Sequence, residues 1–465
     1  MIRFLNAYFP ARTLLLGVSE AFWVTFAFIA ATIARLGTDD ARLMLNYEQG
    51  FFKILIVALI FIVCMYYFDL YDSFVFSNQR EVLTRLVEVF GTVCIVLAVL
   101  YYAFPSLQLG RGIFLIGFFF VALLLLVWRR LFLAVNALPQ LAERTLILGD
   151  GPLAQPLINE IDSRAELGMR IVGQLRQVGV TADPNPPDLS RTELYEELAR
   201  QVESYRAARI IVAMGERRGK LPVEALLQLK SRGVRIQDGA EVYEAMTGKV
   251  PVQSLHLSWL LFSPGFQVSR PLLIYKRIFS FSASVIGLIL VSPLMALIAL
   301  AIRVDSPGPV IFKQKRIGEG GKAFTLYKFR TMIDGADRDD NHRPATKEDD
   351  RFTRVGRWLR RARVDELPQL FNIFKGDMYF VGPRPFVPNQ EEECVEKIPY
   401  YRQRWAVKPG ATGWAQVNRG YCATIEDNID KLAYDLFYIK NISIGLDLLI
   451  MFKTLKTLLL GRGSR

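Results

Sequence analysis

Phe281-Ser-Ala-Ser-Val-Ile-Gly-Leu-Ile-Leu-Val-Ser292-Pro293-Leu-Met-Ala-Leu-Ile-Ala-Leu-Ala-Ile302 is an apolar run with a proline near its centre, and Lys276-Arg277 stand in front of it. Its length suits a membrane helix, since roughly 20 residues cross the hydrocarbon core. Proline removes a backbone donor and crowds the preceding turn, so the helix is expected to bend or break at Ser292-Pro293. A bent apolar helix can span, or can enter and leave by one face, and periodicity does not choose between them. Four earlier blocks, about Leu14 to Ala34 and residues 51–70, 86–104 and 112–135, approach spanning length too. The first is too long for a signal-peptide core and lacks a small-residue cleavage site.

Short loops set the orientation. Arg3 and Arg12 precede the first block, Arg80 and Arg85 separate the second and third, and Arg129, Arg130 and Arg144 follow the fourth. Arg35 and Arg42 in the loop after the first block are offset by Asp39 and Asp40, and only Arg111 precedes the fourth. The positive-inside rule then places the N-terminus and the chain after residue 136 in the cytoplasm. Glu20 falls inside the first block, where an acid invites a functional reading.

Composition agrees with a membrane protein carrying soluble parts: of 465 residues, 52% are hydrophobic. The net charge of +12 admits nucleic acid, anionic lipid or phosphorylated substrates as partners. Membrane segments favour the last two, and no nucleic-acid module is recognisable. Cys64, Cys94, Cys394 and Cys422 form no CxxC pair, so neither a disulfide framework nor a zinc site is expected. His256 and His342 lack ligand-like companions.

From residue 143 the texture changes. Arg144-Thr-Leu-Ile-Leu-Gly149-Asp-Gly151-Pro-Leu-Ala154 reads as a strand, a glycine turn and a helix start, and Arg209–Met214 and Val234–Asp238 read as further strands. Alternating strands and helices predict a Rossmann-like α/β domain over 139–265. The glycine spacing is that of a dinucleotide fingerprint, but Pro152 stands where N–H groups should face a pyrophosphate, so a regulatory or dimerising module is expected. The fold class read here is therefore a membrane protein. It has an N-terminal bundle of four transmembrane helices (1–138), this α/β domain, and a mainly α C-terminal domain over 266–465 that includes the apolar helix 276–302.

The C-terminal region carries the chemistry. Asp305-Ser-Pro-Gly-Pro309 is a rigid turn. Lys328-Phe-Arg330-Thr-Met332 follows, and Arg354, Arg357, Arg360 and Arg361 recur at helical spacing. Next come Arg363-Val-Asp365-Glu366-Leu-Pro-Gln369 and Gly382-Pro383-Arg384-Pro385. Arginine forks match phosphate oxygens, and an acidic pair among arginines stays ionised at neutral pH. Such a carboxylate can attack phosphorus or hold Mg²⁺ against a diphosphate. The competing reading is a basic helix resting on anionic lipid, with the acids as solvated pairs.

Residues 272–465 resemble the catalytic domain of the monotopic phosphoglycosyl transferases, the bacterial sugar-transferase family. The resemblance rests on Ser292-Pro293, Asp305-Ser-Pro-Gly-Pro-Val-Ile-Phe-Lys-Gln-Lys-Arg-Ile-Gly318, Lys328–Met332, Val364–Leu370, Gly376-Asp377, Val381–Pro385 and Thr412-Gly-Trp-Ala-Gln-Val-Asn418. The whole layout is similar to the large subclass that begins exopolysaccharide or O-antigen assembly. The resemblance implies transfer of a hexose-1-phosphate from a UDP-sugar to undecaprenyl phosphate, with UMP released. It implies Asp365 as nucleophile and Glu366 as its partner in proton handling, metal positioning or both, with Mg²⁺ held at the pair. Arg360 and Arg384 match phosphate-contacting arginines, and Lys328 and Arg330 match the basic motif counted with the substrate contacts. Ser292 and Pro293 match the break that makes the helix re-entrant. Nucleotide sugars are cytoplasmic, so a spanning helix would leave the site on the wrong side. A homodimer in the bacterial inner membrane, catalytic domain facing the cytoplasm, completes what the resemblance implies.

The chain departs from the family at Arg419-Gly420, where Gly-Arg is usual, which leaves Arg419 without an assigned role. Residues 334–351 read as a charged mobile loop with a lid as one role open to it, and Asn441–Leu460 as an interfacial helix with snorkelling lysines. A membrane-anchored nucleotide-sugar dehydratase or epimerase is the rival enzyme, but its Tyr-x-x-x-Lys pair occurs nowhere in the chain. A lipid-binding scaffold is the non-enzymatic rival, and it would tolerate Asp365→Asn.

Overall fold

The computed structural model describes residues 2–4, 6–71, 79–136, 138–175, 191–215, 221–254, 265–266, 269–336, 349–419 and 424–459. His256, His342, Cys422 and most of the charged loop 334–351 lie outside them. The chain falls into two compact units, one essentially Phe9–Val242 and the other Tyr243–Arg465 with Arg3–Tyr8 added. The first holds the apolar helices and the α/β sheet together, and the second begins ahead of the 265/266 boundary read from the sequence.

In the first unit, Ala11–Leu36, Gly50–Tyr67, Gln79–Ala103 and Arg111–Asn136 are long helices. All four are long and apolar enough to cross a membrane. They pack around Val24, Phe28, Val57, Phe61, Leu97, Val121 and Leu125, all fully buried. Lipid is as apolar as leucine, so close packing holds such helices together, and small residues permit it. Gly117 shows the point: a Cβ there would sit 2.6 Å from the Phe28 ring. Outward, Leu15, Val18, Phe22, Leu59, Ile95, Leu115 and Phe119 are exposed.

The acid noticed in the first block is fully buried. Glu20 takes Nε of Arg129 at 2.6 Å and its NH2 at 3.1 Å, and the Tyr71 hydroxyl donates to it at 2.7 Å. Arg129 also donates to the Leu70 carbonyl at 3.2 Å. Both charges are thus paired, which an apolar setting demands.

The same unit holds a four-stranded parallel sheet. With β1 Glu143–Leu148, β2 Met169–Leu175, β3 Arg209–Val212 and β4 Arg235–Asp238, the order is β2-β1-β3-β4. The central strands bury Leu146, Ile147, Leu148, Ile210 and Ile211, the continuous apolar run of a sheet covered on both faces. The glycine turn after β1 folds back onto the end of β3: Gly151 N–H donates to the Ala213 carbonyl at 3.0 Å, and a Cβ on Gly151 would strike Gly215. That packing accounts for the glycine without a nucleotide.

The second unit is organised by the helix Arg270–Asp305, 36 residues long. It is one continuous helix through Pro293, so of the bend or break expected there the break does not occur. Proline deprives the Ile289 carbonyl of its helical donor, and the Ser292 hydroxyl supplies one instead at 2.9 Å. Lys276, Ser280 and Ser284 towards one end and Ile298 and Ile302 towards the other are buried at helical spacing, so the helix packs on the unit at both ends, and none of residues 285–297 is buried. The opposite stripe, including Ile278, Ile289, Leu290, Leu297 and Leu300, is exposed.

On the packed side lies an antiparallel hairpin, β5 Ile311–Ile317 and β6 Ala323–Phe329, which pairs Phe312 with Lys328. The short helices Arg354–Ala362 and Gln369–Lys375 follow, and Ile298, Ile302, Phe329 and Leu359 form the core between them and the long helix. A parallel pair, Tyr379–Val381 with Gly410–Thr412, leads into the arginine loop.

Candidate functional site

The acidic pair sits on one tight turn. The arginine helix Arg354–Ala362 starts with the Thr353 side chain accepting from Gly356 N–H at 2.9 Å, an ordinary N-cap. Asp305, at the end of the long helix, accepts from Val355 N–H at 3.0 Å and adds negative charge where the helix dipole favours it. The helix closes on Arg363 in the left-handed region (φ 55°), and the chain turns at once into a 3-10 turn, Val364–Glu366. Val364 and Leu367 pack against the core beneath, so Asp365 and Glu366 are presented from a fixed base.

Two cations close on one oxygen of Glu366. Lys328 Nζ lies 3.0 Å from Oε1 and Arg384 NH2 lies 2.8 Å from the same atom. Burial by itself would raise this carboxyl, but Arg384 and then Lys328 outweigh it and hold Glu366 far below the usual carboxylate range. Asp365 differs. It takes part in no hydrogen bond or ion pair among the described residues, and partial burial raises its carboxyl above the ordinary aspartate value against the pull of Lys328. Glu366 raises it further, while Arg360 and Arg384 act the other way. Lys328 is lowered, by burial first, and Arg384 is raised by Glu366.

Each cation has its own support. Lys328 is carried by β6, whose edge is held by Asn372: its Oδ1 accepts from Tyr327 N–H at 3.0 Å and its Nδ2 donates to the Thr325 carbonyl at 2.6 Å. Arg360 lies over the Phe352 ring, 4.5 Å from its centroid, and acts on Asp365 electrostatically. Arg384 sits on a loop fixed at successive residues. Gly382 N–H donates to the Thr412 carbonyl at 2.9 Å, Gly410 N–H to the Pro383 carbonyl at 3.0 Å, and Arg404 to the carbonyl of Arg384 at 2.9 Å.

Asp365, Glu366, Lys328, Arg360 and Arg384 therefore come together as the sequence reading expected. Arg330 does not join them. Its guanidinium is buried and donates to the Ser306 carbonyl at 2.7 Å, the Ser306 hydroxyl at 2.8 Å and the Pro307 carbonyl at 2.9 Å. It clips the rigid turn to β6 and has no free fork for a phosphate. Ser292 and Pro293 lie on the exposed stripe of the long helix, where the serine serves the backbone. Asn372, Arg404 and Lys276 were missed by sequence reasoning. For Lys276 a signal existed, a cation at the start of an apolar helix, but it reads equally as a flanking charge.

Known proteins resemble the chain over both parts. The family model described as bacterial sugar transferase matches residues 272–461, and one described as CoA-binding domain matches 66–237. The second match begins at the end of the second membrane-type helix and runs into β4, so it joins helices and sheet as the compact unit does. The chain is 42% identical over 226 residues to the UDP-N-acetylgalactosamine-undecaprenyl-phosphate N-acetylgalactosaminephosphotransferase of Aeromonas hydrophila, covering 48% of this chain and 52% of that protein. It is 34% identical over 339 residues to the undecaprenyl-phosphate glucose phosphotransferase of Komagataeibacter xylinus, covering 70% and 60%. It is 44% identical over 186 residues to the UDP-glucose:undecaprenyl-phosphate glucose-1-phosphate transferase of Caulobacter vibrioides, covering 40% and 69%. The chain thus spans 52% and 60% of the first two relatives. It belongs to the bacterial sugar transferase family, and it is a membrane protein.

Proposed function

We propose that the chain transfers a hexose-1-phosphate from a UDP-sugar to undecaprenyl phosphate through a covalent phospho-sugar aspartyl intermediate. The observation that carries this reading is the division of labour on the 3-10 turn. Glu366 is locked between two cations, while its neighbour Asp365 is unbonded and lies within their field. An Asp365 oxygen attacks the phosphorus that bears the sugar; the bond from that phosphorus to the bridging oxygen breaks and UMP leaves. A phosphate oxygen of undecaprenyl phosphate then attacks the same phosphorus, the aspartyl–phosphorus bond breaks, and Asp365 is released as carboxylate. Splitting the transfer suits one soluble and one lipid substrate meeting a single site. Lys328, Arg360 and Arg384 stabilise the charge on the transferring group.

Lys328 at 3.0 Å and Arg384 at 2.8 Å on one oxygen of Glu366 suit it to an electrostatic role beside the nucleophile. Its second oxygen and the Asp365 carboxylate are hard oxygen donors, which fit a Mg²⁺ completed by water and diphosphate oxygens, the ion's usual manner of binding. Bound there, Mg²⁺ would neutralise charge on the diphosphate.

The long helix packs on the catalytic unit at both ends, and its apolar middle, residues 285–297, is not buried. That supports a helix that enters and leaves the cytoplasmic side of the bacterial inner membrane, behind four transmembrane helices. Homodimerisation, with the α/β sheet as a regulatory or dimerising module, belongs to the same proposal and rests on the resemblance; sedimentation in detergent tests it. The reaction is tested by UMP release from a panel of UDP-sugars with Mg²⁺ and undecaprenyl phosphate. UMP from one donor, lost in Asp365→Asn, supports the reading; no UMP from folded protein with any donor sinks it.

A further inference from the structure

Lys276 lies near the start of the long helix, yet only 4% of it is exposed. An ammonium has three protons to donate and no acceptor. Lys276 directs its protons to Asp447 Oδ2 at 2.5 Å, the Tyr438 hydroxyl at 2.6 Å and the Val381 carbonyl at 3.2 Å. Tyr438 has a single proton, and Asp447 Oδ1 at 2.7 Å is a nearer acceptor for it than the Val381 carbonyl at 3.2 Å. The ammonium is therefore what holds that carbonyl. Phe279, Phe380, Leu448 and Met451 line the surroundings and keep them apolar.

Val381 ends the strand that delivers Gly382-Pro383-Arg384. The later part of the loop is fixed by Arg404 on the Arg384 carbonyl and by Arg316 on the Pro385 carbonyl at 3.2 Å. Lys276 fixes its beginning. A buried ion pair is weak evidence for stability, because well-packed apolar residues often do as well. What this one adds is a fixed junction of three segments: the long helix, the helix Ile444–Leu459 and the arginine loop. Both helices expose apolar side chains, Ile278 and Ile289 on one, Leu448 and Leu455 on the other.

We infer that Lys276, with Asp447 and Tyr438, is a positioning residue for Arg384, tying the seating of two apolar-faced helices to the guanidinium that grips Glu366. The inference rests on the transferase reading. A double-mutant cycle on UMP release in nanodiscs tests it. Lys276→Met is expected to lower kcat by about 10- to 100-fold in the wild-type background, the scale of a small misplacement at a reacting centre. In an Arg384→Ala background the same substitution should cost less than about twofold, because its route is already gone. Losses that multiply independently overturn the inference. Asp447→Asn, close in shape, carries the same cycle should Lys276→Met not fold.

Hydrogen exchange on the full chain supplies a readout that needs no activity. The peptide over 379–386 should exchange at least about tenfold faster in Lys276→Met, with the hairpin 311–329 unchanged. Unchanged exchange over 379–386 also overturns the inference. A wild-type chain that releases no UMP sinks the transferase reading and the catalytic half of this inference with it, while exchange still decides whether Lys276 holds the loop.

Discussion

Asp365 and Glu366 are adjacent in sequence and lie in the field of the same cations, but only Glu366 is bonded to them. Lys328 and Arg384 share one oxygen of Glu366, and Asp365 has no bonded partner among the described residues. Removing Arg384 should cost more than removing a surface arginine, because it leaves Glu366 half-compensated and takes a guanidinium from beside Asp365. Arg384→Ala is expected to lower kcat for UMP release by about 10²–10³-fold, the usual scale for one preorganised donor. Asp365 must be ionised to attack, and its carboxyl lies above the ordinary aspartate value, so activity should fall as pH drops through that raised value. Lys328 is the largest influence pulling it down. Lys328→Met should therefore move the acidic limb of the kcat profile to higher pH, and a limb that stays in place would contradict the assignment. At this scale the dyad, Arg384 and Lys328 were legible through the family resemblance, because their residue types alone left a basic helix on anionic lipid equally open. Arg330 was not: one arginine in a basic motif looks like another, and its clip on Ser306 and Pro307 exists only after the chain has folded back.

Elements were legible where composition alone dictates them. The four N-terminal helices follow from apolar length, although Ala11–Leu36 and Gly50–Tyr67 differ from the blocks read by a few residues at their polar ends. The long helix was found, and of the bend or break expected at Pro293 the break does not occur, the serine before the proline serving the freed carbonyl. Ser292→Ala removes the donor for the Ile289 carbonyl, and thermal unfolding in detergent should register a loss of about 0.5–1.5 kcal/mol. An unchanged melting temperature would mean that the hydroxyl does not replace the missing helical bond. The arginine helix depends equally on Gly356, whose missing Cβ leaves room for the Thr331 carbonyl. No sequence pattern announces that approach, since it joins segments brought together only by the fold.

At the scale of the whole molecule, the long helix leaves an apolar stripe along its length, while its other face is buried against the catalytic unit only towards the two ends. Single cysteines at Ile274 and Val304, both exposed and near opposite ends of that helix, should be labelled by an impermeant maleimide from the cytoplasmic side in a cysteine-free background. Labelling from opposite sides would establish a spanning helix and exclude the re-entrant one. In the first unit, Glu20→Gln leaves Arg129 buried beside an uncharged partner and should cost about 3–5 kcal/mol in detergent unfolding. The pair could not be read from sequence, because Arg129 stands in the run of basic residues that the positive-inside rule already explains.

The central claim is that Asp365 carries the sugar phosphate between the two substrates. Intact-protein and peptide mass spectrometry after mixing with the active UDP-sugar and Mg²⁺, with no polyprenyl phosphate present, tests it most directly. A mass gain of one hexose phosphate is expected on the peptide containing Asp365, absent from Asp365→Asn and discharged when undecaprenyl phosphate is added. UMP released only when both substrates are present, with no mass gain on the protein, would contradict it and indicate direct transfer.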